Sequence, residues 1–418
     1  MKLLVIGSGG REHAIAWKLS KSNKVDEIYC APGNGGTALE EKCINVNLNS
    51  IDEYLSFAKE NKIDVTVVGP EAPLVEGIVD TFKKEGLKIF GPDKKGALLE
   101  GSKAFAKEFM KKYGVKTAEY ETFTDFEKAK EYIRNCAYPV VVKADGLAAG
   151  KGVVICEEEA DAQKALEDFM VKDVFNGSGK KIVIEEFLNG VEASILSITD
   201  GETIIPFISS KDHKQIYDGN KGPNTGGMGV IAPNPYCSDE VIKEFKENIL
   251  EPTLKGIKNE AMDYIGVIFF GIMITEKGVY LLEYNVRMGD PETQAVLYLM
   301  ESDLMDIIMG ALNKDLANIN IKWENKHSCC VVVASEGYPS SYKKGYPIEI
   351  EDNLESKVIA AGAKLEEGKL VTNGGRVLCV VAKGDSLDSA REKAYRDVEK
   401  VKFQGNYYRK DIGELINN

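Results

Sequence analysis

The chain opens with MKLLVIGSGGREHA (1–14), in which the apolar run Leu3 to Ile6 enters Gly7-Ser8-Gly9-Gly10 and a helical pattern follows. A strand, a glycine turn and a helix in this order are how a dinucleotide-binding unit begins. That fingerprint also needs a third glycine and an acid near the end of the second strand, about 20 residues on. Here Glu12 holds the third glycine position, and the second strand EIYC runs into Ala31-Pro32-Gly33 with no acid for a ribose. What remains is a glycine turn at a helix N-terminus, which offers free backbone N–H groups and a favourable dipole to an anion. The stretch reads as a phosphate site without a dinucleotide; the alternative is a tight turn with no ligand.

Outward from that turn, residues 1–100 alternate short apolar strands with helices: LLVI, a helix over 11–19, EIYC, a helix at IDEYLSFAKE, DVTVVG, a helix over 74–84 and LKIFGP. This alternation indicates a parallel α/β sheet. Ser102 is a suitable N-cap for a following helix. A small α/β unit comes next, with YPVVVKADGLAAGKGVVICE (138–157), a helix at EADAQKALEDFM and KIVIEEFLNG. Strands near ASILSI and TIIPFI lead to a long polar loop, SSKDHKQIYDGNKGPNTGGMG. A helix over 239–256 precedes two long strands, GVIFFGIMIT and VYLLEYNVR, joined at EKG. A last unit begins at HSCCVVVASEGYP and holds GGRVLCVVAKG and the helical SLDSAREKAYRDVEKV.

Composition narrows the function. A chain of 418 residues suggests about three domains. Its net charge is −13 with no long Lys/Arg block, so nucleic acid is not an expected partner. The longest apolar run, YIGVIFFGIMI, has far fewer than the ~20 residues of a membrane span. Lys2 precedes only a short strand, which does not read as a signal peptide. The eight Cys show no CxxC spacing and Cys329-Cys330 sit in an apolar run, while three His make a zinc site a poor reading. Unpaired thiols suit a reducing cytoplasm, the expected location.

Two stretches carry chemistry. KADGLAAGKGV (143–153) is not a P-loop: Gly146 to Gly150 is one residue short, and Gly152 stands where Ser or Thr would hold magnesium. Its glycines still let backbone approach a phosphate, and Lys143 and Lys151 supply charge. In EYNVR (283–287), strand alternation puts Glu283, Asn285 and Arg287 on one face and Leu282, Tyr284 and Val286 on the other. Two oxygen ligands suit Mg²⁺, which takes few protein groups and completes its shell with phosphate and water. Arg287, about 7 Å further along the strand from Asn285, would stabilise a transferring phosphoryl group. The alternative is a surface ion pair of Arg287 with Asp290 or Glu292. In the polar loop, His213 reads as an orienting or solvated residue, and Asn224, Thr225 and the glycines as substrate-positioning backbone.

Taken together, VIGSGGREHA, GPEAPL, FGP, LEGSKAFAKEFM, YPVVVKADGLAAGKGV, EEFLNGVEAS, KDHK, GPNTGGMG, LEYNVRMGDPETQ, TNGGRVL and YRKDIG resemble, in order and over nearly the whole chain, the glycinamide ribonucleotide synthetases (phosphoribosylamine–glycine ligases). These are ATP-grasp ligases of purine biosynthesis. The resemblance implies an α/β (α+β overall) ATP-grasp fold: an N-terminal substrate domain over 1–101, an ATP-grasp domain over 102–325 with its small lid at 114–188 and its metal half at 189–325, and a C-terminal domain over 326–418. It implies ATP and Mg²⁺ (or Mn²⁺) as cofactors, glycine and 5-phosphoribosylamine as substrates, and a monomer. Carried residue by residue, Lys103, Lys143, Gly146, Gly150, Lys151, Glu185, Glu186, Leu188 and Glu192 would meet ATP. Glu283 and Asn285 would hold the metal, and Arg287, Lys143, Asp212 and Lys214 would act in catalysis. Ser8, Gly9, Gly10, Glu71, Pro73, Asn224, Thr225, Gly226, Asp290 and Pro291 would meet substrate, with Ser8 to Gly10 at its 5-phosphate. Three rivals remain at this point: an ATP-grasp ligase for another carboxylate, an NAD-dependent oxidoreductase, and a nucleotide-binding regulatory module.

Overall fold

The computed structural model describes residues 1–147, 152–175 and 177–415. Its largest sheet has nine strands. Five of them, in the order Cys43–Asn45, Glu27–Pro32, Lys2–Gly7, Val65–Val68 and Ile89–Pro92, run parallel. The central ones are apolar at successive positions, as strands covered by helices on both faces must be. The sheet does not stop there. Tyr264–Thr275 joins Ile89–Pro92 antiparallel through Tyr264 and Ile265, and carries Val191–Thr199 and Gly278–Asn285 on its two sides. The N-terminal sheet and the strand pair bearing EYNVR are therefore one continuous sheet.

Local signals explain most element ends. Ser50 accepts the Glu53 N–H and Glu53 reaches back to Ser50, which starts Ile51–Glu60 with a capping box. Ser102 accepts the Phe105 N–H and opens Lys103–Tyr113, as expected. The helix expected over 74–84 is two helices, Glu71–Glu76 and Ile78–Lys84, because Gly77 takes φ +98 between them. The helix expected over 239–256 extends to Asn259 through a π turn at Lys246–Leu250.

The next unit along the chain holds a four-stranded antiparallel sheet, in the order Tyr120–Phe123, Ile182–Glu186, Val140–Ala144 and Val153–Cys156. Its core includes Ala129, Ile133, Val142, Leu166 and Ile184. The C-terminal sheet orders Lys211–Asp212, Gly229–Ala232, His327–Ser335, Arg376–Gly384 and Lys357–Ala360, with Asn406–Tyr407 on His327–Ser335. One of its strands, Lys211–Asp212, comes from the stretch expected to be a polar loop, and Gly229–Ala232 begins at that stretch's last residue. That stretch also forms a hairpin of Gln215–Tyr217 with Lys221–Asn224. Its many glycines and polar residues hid strands only two to four residues long, of which Lys221–Asn224 is exposed while Ile216 is buried. Cys329 and Cys330 are buried in this sheet, and all eight cysteines are free. Among the described residues no helix is long and apolar enough to cross a membrane.

Candidate active site

The site is built on the pairing of Gly278–Asn285 with Tyr264–Thr275. The register slips between Gly271 and Ile272: Glu283 lies opposite Gly271 and Leu281 opposite Ile272, so Leu282 is an extra residue. Such a bulge reverses which side alternate residues face. Val279 and Leu281 are buried before it, and Tyr284 and Val286 after it. The expectation that Leu282 shares a face with Tyr284 fails for this reason. Glu283 and Asn285 keep their common face, half-buried.

Arg287 does not continue along the strand, which ends at Asn285. Its guanidinium turns back instead. Nη2 donates to Asn285 Oδ1 at 3.0 Å and lies 2.8 Å from Glu100 Oε1; Nε donates to Glu71 Oε2 at 3.3 Å. The ion pairs expected under the surface reading, with Asp290 or Glu292, are not the ones formed. Burial disfavours the charge on Arg287, but Glu100 and Glu71 outweigh it and raise its pKa.

Across the cleft, Lys103–Tyr113 presents Lys103 and Lys107 one turn apart. Lys107 Nζ lies 3.0 Å from Glu185 Oε2 and donates to Thr117 Oγ1 at 2.7 Å. Lys143 Nζ lies 2.9 Å from Glu185 Oε1 and 3.5 Å from the Leu282 carbonyl. Glu185 is thus held by two lysines. Burial would raise its pKa, yet Lys143 and Lys107 bring it below the usual carboxylate value. Burial also lowers Lys107 to about 8, against the pull of Glu185. Removing one partner of so buried a pair costs roughly 3–5 kcal/mol. Lys103 Nζ reaches the Gly146 carbonyl at 3.4 Å, and Glu283 is its principal acidic neighbour. A side chain on Gly146 would meet Ser178 Oγ at 2.8 Å, so this position must stay bare. Gly150 and Lys151 lie outside the described residues.

Glu186 is exposed and accepts the Glu119 N–H at 3.0 Å, and Leu188 is half-buried just beyond the strand. Glu192 pairs with Lys214, which lowers the Glu192 pKa. Lys214 also feels Glu283 and Asp212, which places it on the same cleft.

The opening turn meets the cleft from the other side. Gly9 N–H is spent on Glu12 Oε2 at 2.7 Å, so of the three amides expected to be free for an anion this one is engaged. Side chains on Gly9 or Gly10 would run into Asp290 and Gln294. Asp290 Oδ1 accepts from Gln294 Nε2 at 2.7 Å, and Asp290 Oδ2 lies 3.4 Å from Arg376 Nη2. Glu71 opens the helix Glu71–Glu76, with Pro73 in its first turn.

Arg376 ties this region to the C-terminal sheet. Its Nη1 donates to the Gly226 carbonyl at 2.6 Å and to the Asp290 carbonyl at 2.7 Å. Thr225 Oγ1 donates to the Lys214 carbonyl at 2.7 Å, while Asn224 is exposed. Gly227, with φ +113, fits between Pro291 and the Asp212 carboxylate. Burial and Glu292 push the Asp212 carboxyl well above its usual value. His213 is buried rather than solvated. Its Nδ1 donates to the Gly229 carbonyl at 3.1 Å and its Nε2 accepts the Gly413 N–H at 3.1 Å. Both ring nitrogens are thus engaged by backbone groups.

Three residues of the site escaped the reading from sequence: Glu100, Lys107 and Arg376. Each lies inside a motif that had been noticed, and Lys107 follows Lys103 by four positions on one helix. No group of three or more His, Cys, Asp or Glu positioned for a metal occurs among the described residues. Glu283 and Asn285 offer two oxygen-bearing side chains on one face, a donor set that suits a cation taking one or two protein oxygens and filling its shell from phosphate and water.

An antiparallel sheet that sets Lys143 and Glu185 against a Glu-x-Asn-x-Arg strand end is the arrangement of an ATP-grasp enzyme. The biotin carboxylase domain of a Hydrogenobacter thermophilus 2-oxoglutarate carboxylase shares this fold, at TM-score 0.72 and 18% identity over 97% of this chain and 91% of the other. The family models for phosphoribosylglycinamide synthetase match in three parts: the N domain at 1–100, the ATP-grasp (A) domain at 101–293 and the C domain at 328–415. The chain belongs to the phosphoribosylglycinamide synthetase family. It is 65% identical to the phosphoribosylamine–glycine ligase of Clostridium acetobutylicum, over 99% of this chain and 100% of that one. It is 57% identical to that of Fusobacterium nucleatum, over 99% of each. The crystal structure of phosphoribosylamine–glycine ligase from Thermotoga maritima matches at TM-score 0.88 and 34% identity, over 99% of this chain and 100% of the other.

Proposed function

We propose that this chain joins glycine to 5-phosphoribosylamine with ATP, giving glycinamide ribonucleotide, ADP and phosphate, in de novo purine biosynthesis. The supporting observation is the meeting of Lys103 and Lys143 with the Glu283–Asn285–Arg287 group in one cleft, in a chain whose whole length matches phosphoribosylamine–glycine ligases.

Glycine's carboxylate is a poor acceptor for an amine. In this reading it attacks the γ-phosphorus of ATP, releasing ADP and forming glycyl phosphate. The ribosylamine nitrogen then attacks the acyl carbon, the C–O bond to phosphate breaks, and the amine proton leaves to solvent or phosphate. No side-chain nucleophile is needed. The protein supplies orientation and charge stabilisation in a site closed to water. Lys103 and Lys143 would hold the ATP phosphates, and Arg287 would stabilise the phosphoryl group in transfer. Lys214 and Asp212 would act beside it. Glu185, Glu186, Leu188 and Glu192 would hold the adenosine, with Gly146, Gly150 and Lys151 in the flap that covers the phosphates. Glu283 and Asn285 would hold Mg²⁺ or Mn²⁺, which neutralises phosphate charge when bound.

Substrate would lie between Ser8–Gly10, Glu71 and Pro73 on one side and Asn224–Gly226, Asp290 and Pro291 on the other. Residues 1–101 would form the substrate domain, 102–325 the ATP-grasp domain and 326–418 the domain that closes the cleft. The working form is a cytoplasmic monomer. The test is ADP release with 5-phosphoribosylamine formed in situ from ribose 5-phosphate and ammonia. Release must depend on glycine; equal release with glycine omitted, or replaced by bicarbonate, contradicts the assignment.

A further inference from the structure

Arg287 is held by two carboxylates of unequal character. Glu71 is 30% exposed and makes one contact, 3.3 Å from Nε. Glu100 is 8% exposed and makes two: Oε1 lies 2.8 Å from Arg287 Nη2, and Oε2 accepts the Val286 N–H at 2.7 Å. One side chain thus fixes both the backbone just before Arg287 and the guanidinium itself. Glu100 stands in the last turn of Lys94–Gly101, a helix anchored by Asp93 at its start. The chain passes through Ser102 directly into the helix that begins with Lys103. A single stretch, Glu100 to Lys103, therefore sets the arginine on one side of the cleft and a lysine on the other.

We infer that Glu100 is a positioning residue for Arg287, clamping its Nη2 edge while Glu71 holds Nε and the Met288 carbonyl accepts from Nη1 at 3.2 Å, so that the guanidinium plane is fixed before substrate arrives. The inference rests on the proposed reaction, in which Arg287 meets the transferring phosphoryl group. A guanidinium on a long side chain has many rotamers, and preorganised donors are those whose orientation is settled before the reaction. Asn285 Oδ1 adds a third point of restraint on the same Nη2. The shape of the clamp explains why an acid is placed in so enclosed a position: a neutral residue would satisfy Val286 N–H but would not hold the arginine.

The test is a double-mutant cycle. Glu100→Gln keeps the shape and the acceptor for Val286 N–H while removing the charge. Glycine-dependent ADP release is measured for wild type, Glu100→Gln, Arg287→Lys and the double variant, with Glu100→Asp as the charge-preserving control. The expected result is a kcat about 10-fold or more below wild type for Glu100→Gln, with KM for ATP within about 3-fold. In the Arg287→Lys background the same change should cost less than about 3-fold, because the group it positions is already gone. Glu100→Asp should recover part of the loss. A Glu100→Gln enzyme within about 2-fold of wild type, an equal loss in both backgrounds, or no difference between Gln and Asp would each overturn the inference. Should Glu100→Gln not fold, as read by circular dichroism, the cycle is run with Glu100→Met, which also removes the charge at similar length, under the same criterion. A wild-type enzyme with no glycine-dependent turnover overturns the proposed reaction itself and this inference with it.

Discussion

Glu12 takes the Gly9 N–H at 2.7 Å, and its side chain fills the space that extra atoms on Gly7 or Gly69 would need. The third glycine of a dinucleotide-binding turn lets helix and strand pack closely beside a pyrophosphate. Here the buried Glu12 side chain, paired with Arg11 Nε at 2.5 Å, fills that place and removes the close helix–strand approach that a dinucleotide pyrophosphate needs. NAD should therefore give no calorimetric signal, while ATP with Mg²⁺ should bind. Tight NAD binding without an ATP signal would remove the nucleotide assignment.

Replacing Glu283 by Gln removes a charged oxygen and keeps its size. Asn285 remains, already sharing its Oδ1 with Arg287. The Mg²⁺ concentration needed for half-maximal rate should rise about 10-fold or more. A variant with unchanged Mg²⁺ dependence would show that the metal is held elsewhere.

Arg287→Lys should lose mostly kcat, by about 10²-fold or on the order of 3 kcal/mol, as expected for one preorganised donor. Lysine cannot bridge Glu100 and Asn285 with a planar fork. KM for ATP should change little, since the residues proposed for the adenosine are not among the partners of Arg287. Near-normal kcat with only a lowered melting temperature would make Arg287 a structural ion pair.

His213 gives a pH dependence of stability. Burial, with Lys211 and Arg409 nearby, lowers its pKa from 6.5 to about 4. Between these values the unfolded chain binds a proton that the folded chain does not. Stability therefore rises with pH across that window and is lost on acidification, by up to about 3 kcal/mol. Above 6.5 the residue contributes no pH dependence. Urea midpoints measured from pH 7 to 4 should fall, and His213→Gln should flatten the curve. An identical slope in wild type and variant would contradict the assignment. His13 is also lowered by burial and acts in the same direction.

What could be read from sequence divides along physical lines. The parallel strands and the Ser102 cap were legible because local pattern alone dictates them. Glu283 and Asn285 were legible because their two-residue spacing lies past the bulge. The bulge at Leu282 was not, since it is set by pairing with Gly271 and leaves the apolar pattern intact. Lys211–Asp212 was hidden because it pairs with Gly229–Ala232, which itself pairs with His327–Ser335, about 100 residues away. Glu100, Lys107 and Arg376 owe their places to partners 186, 78 and 86 residues away in Val286, Glu185 and Asp290. Glu71 was reached through resemblance, and its grip on Arg287 appears only in the fold.

The central claim is that the carboxylate of glycine is activated by phosphoryl transfer. Glycine labelled with ¹⁸O in its carboxylate tests it directly. Attack on the γ-phosphorus followed by amine attack on carbon leaves one labelled oxygen in each product phosphate. Mass spectrometry of the phosphate should show one ¹⁸O per turnover, with the other retained in glycinamide ribonucleotide. Product phosphate without ¹⁸O, formed at the same rate as ADP, would contradict the account.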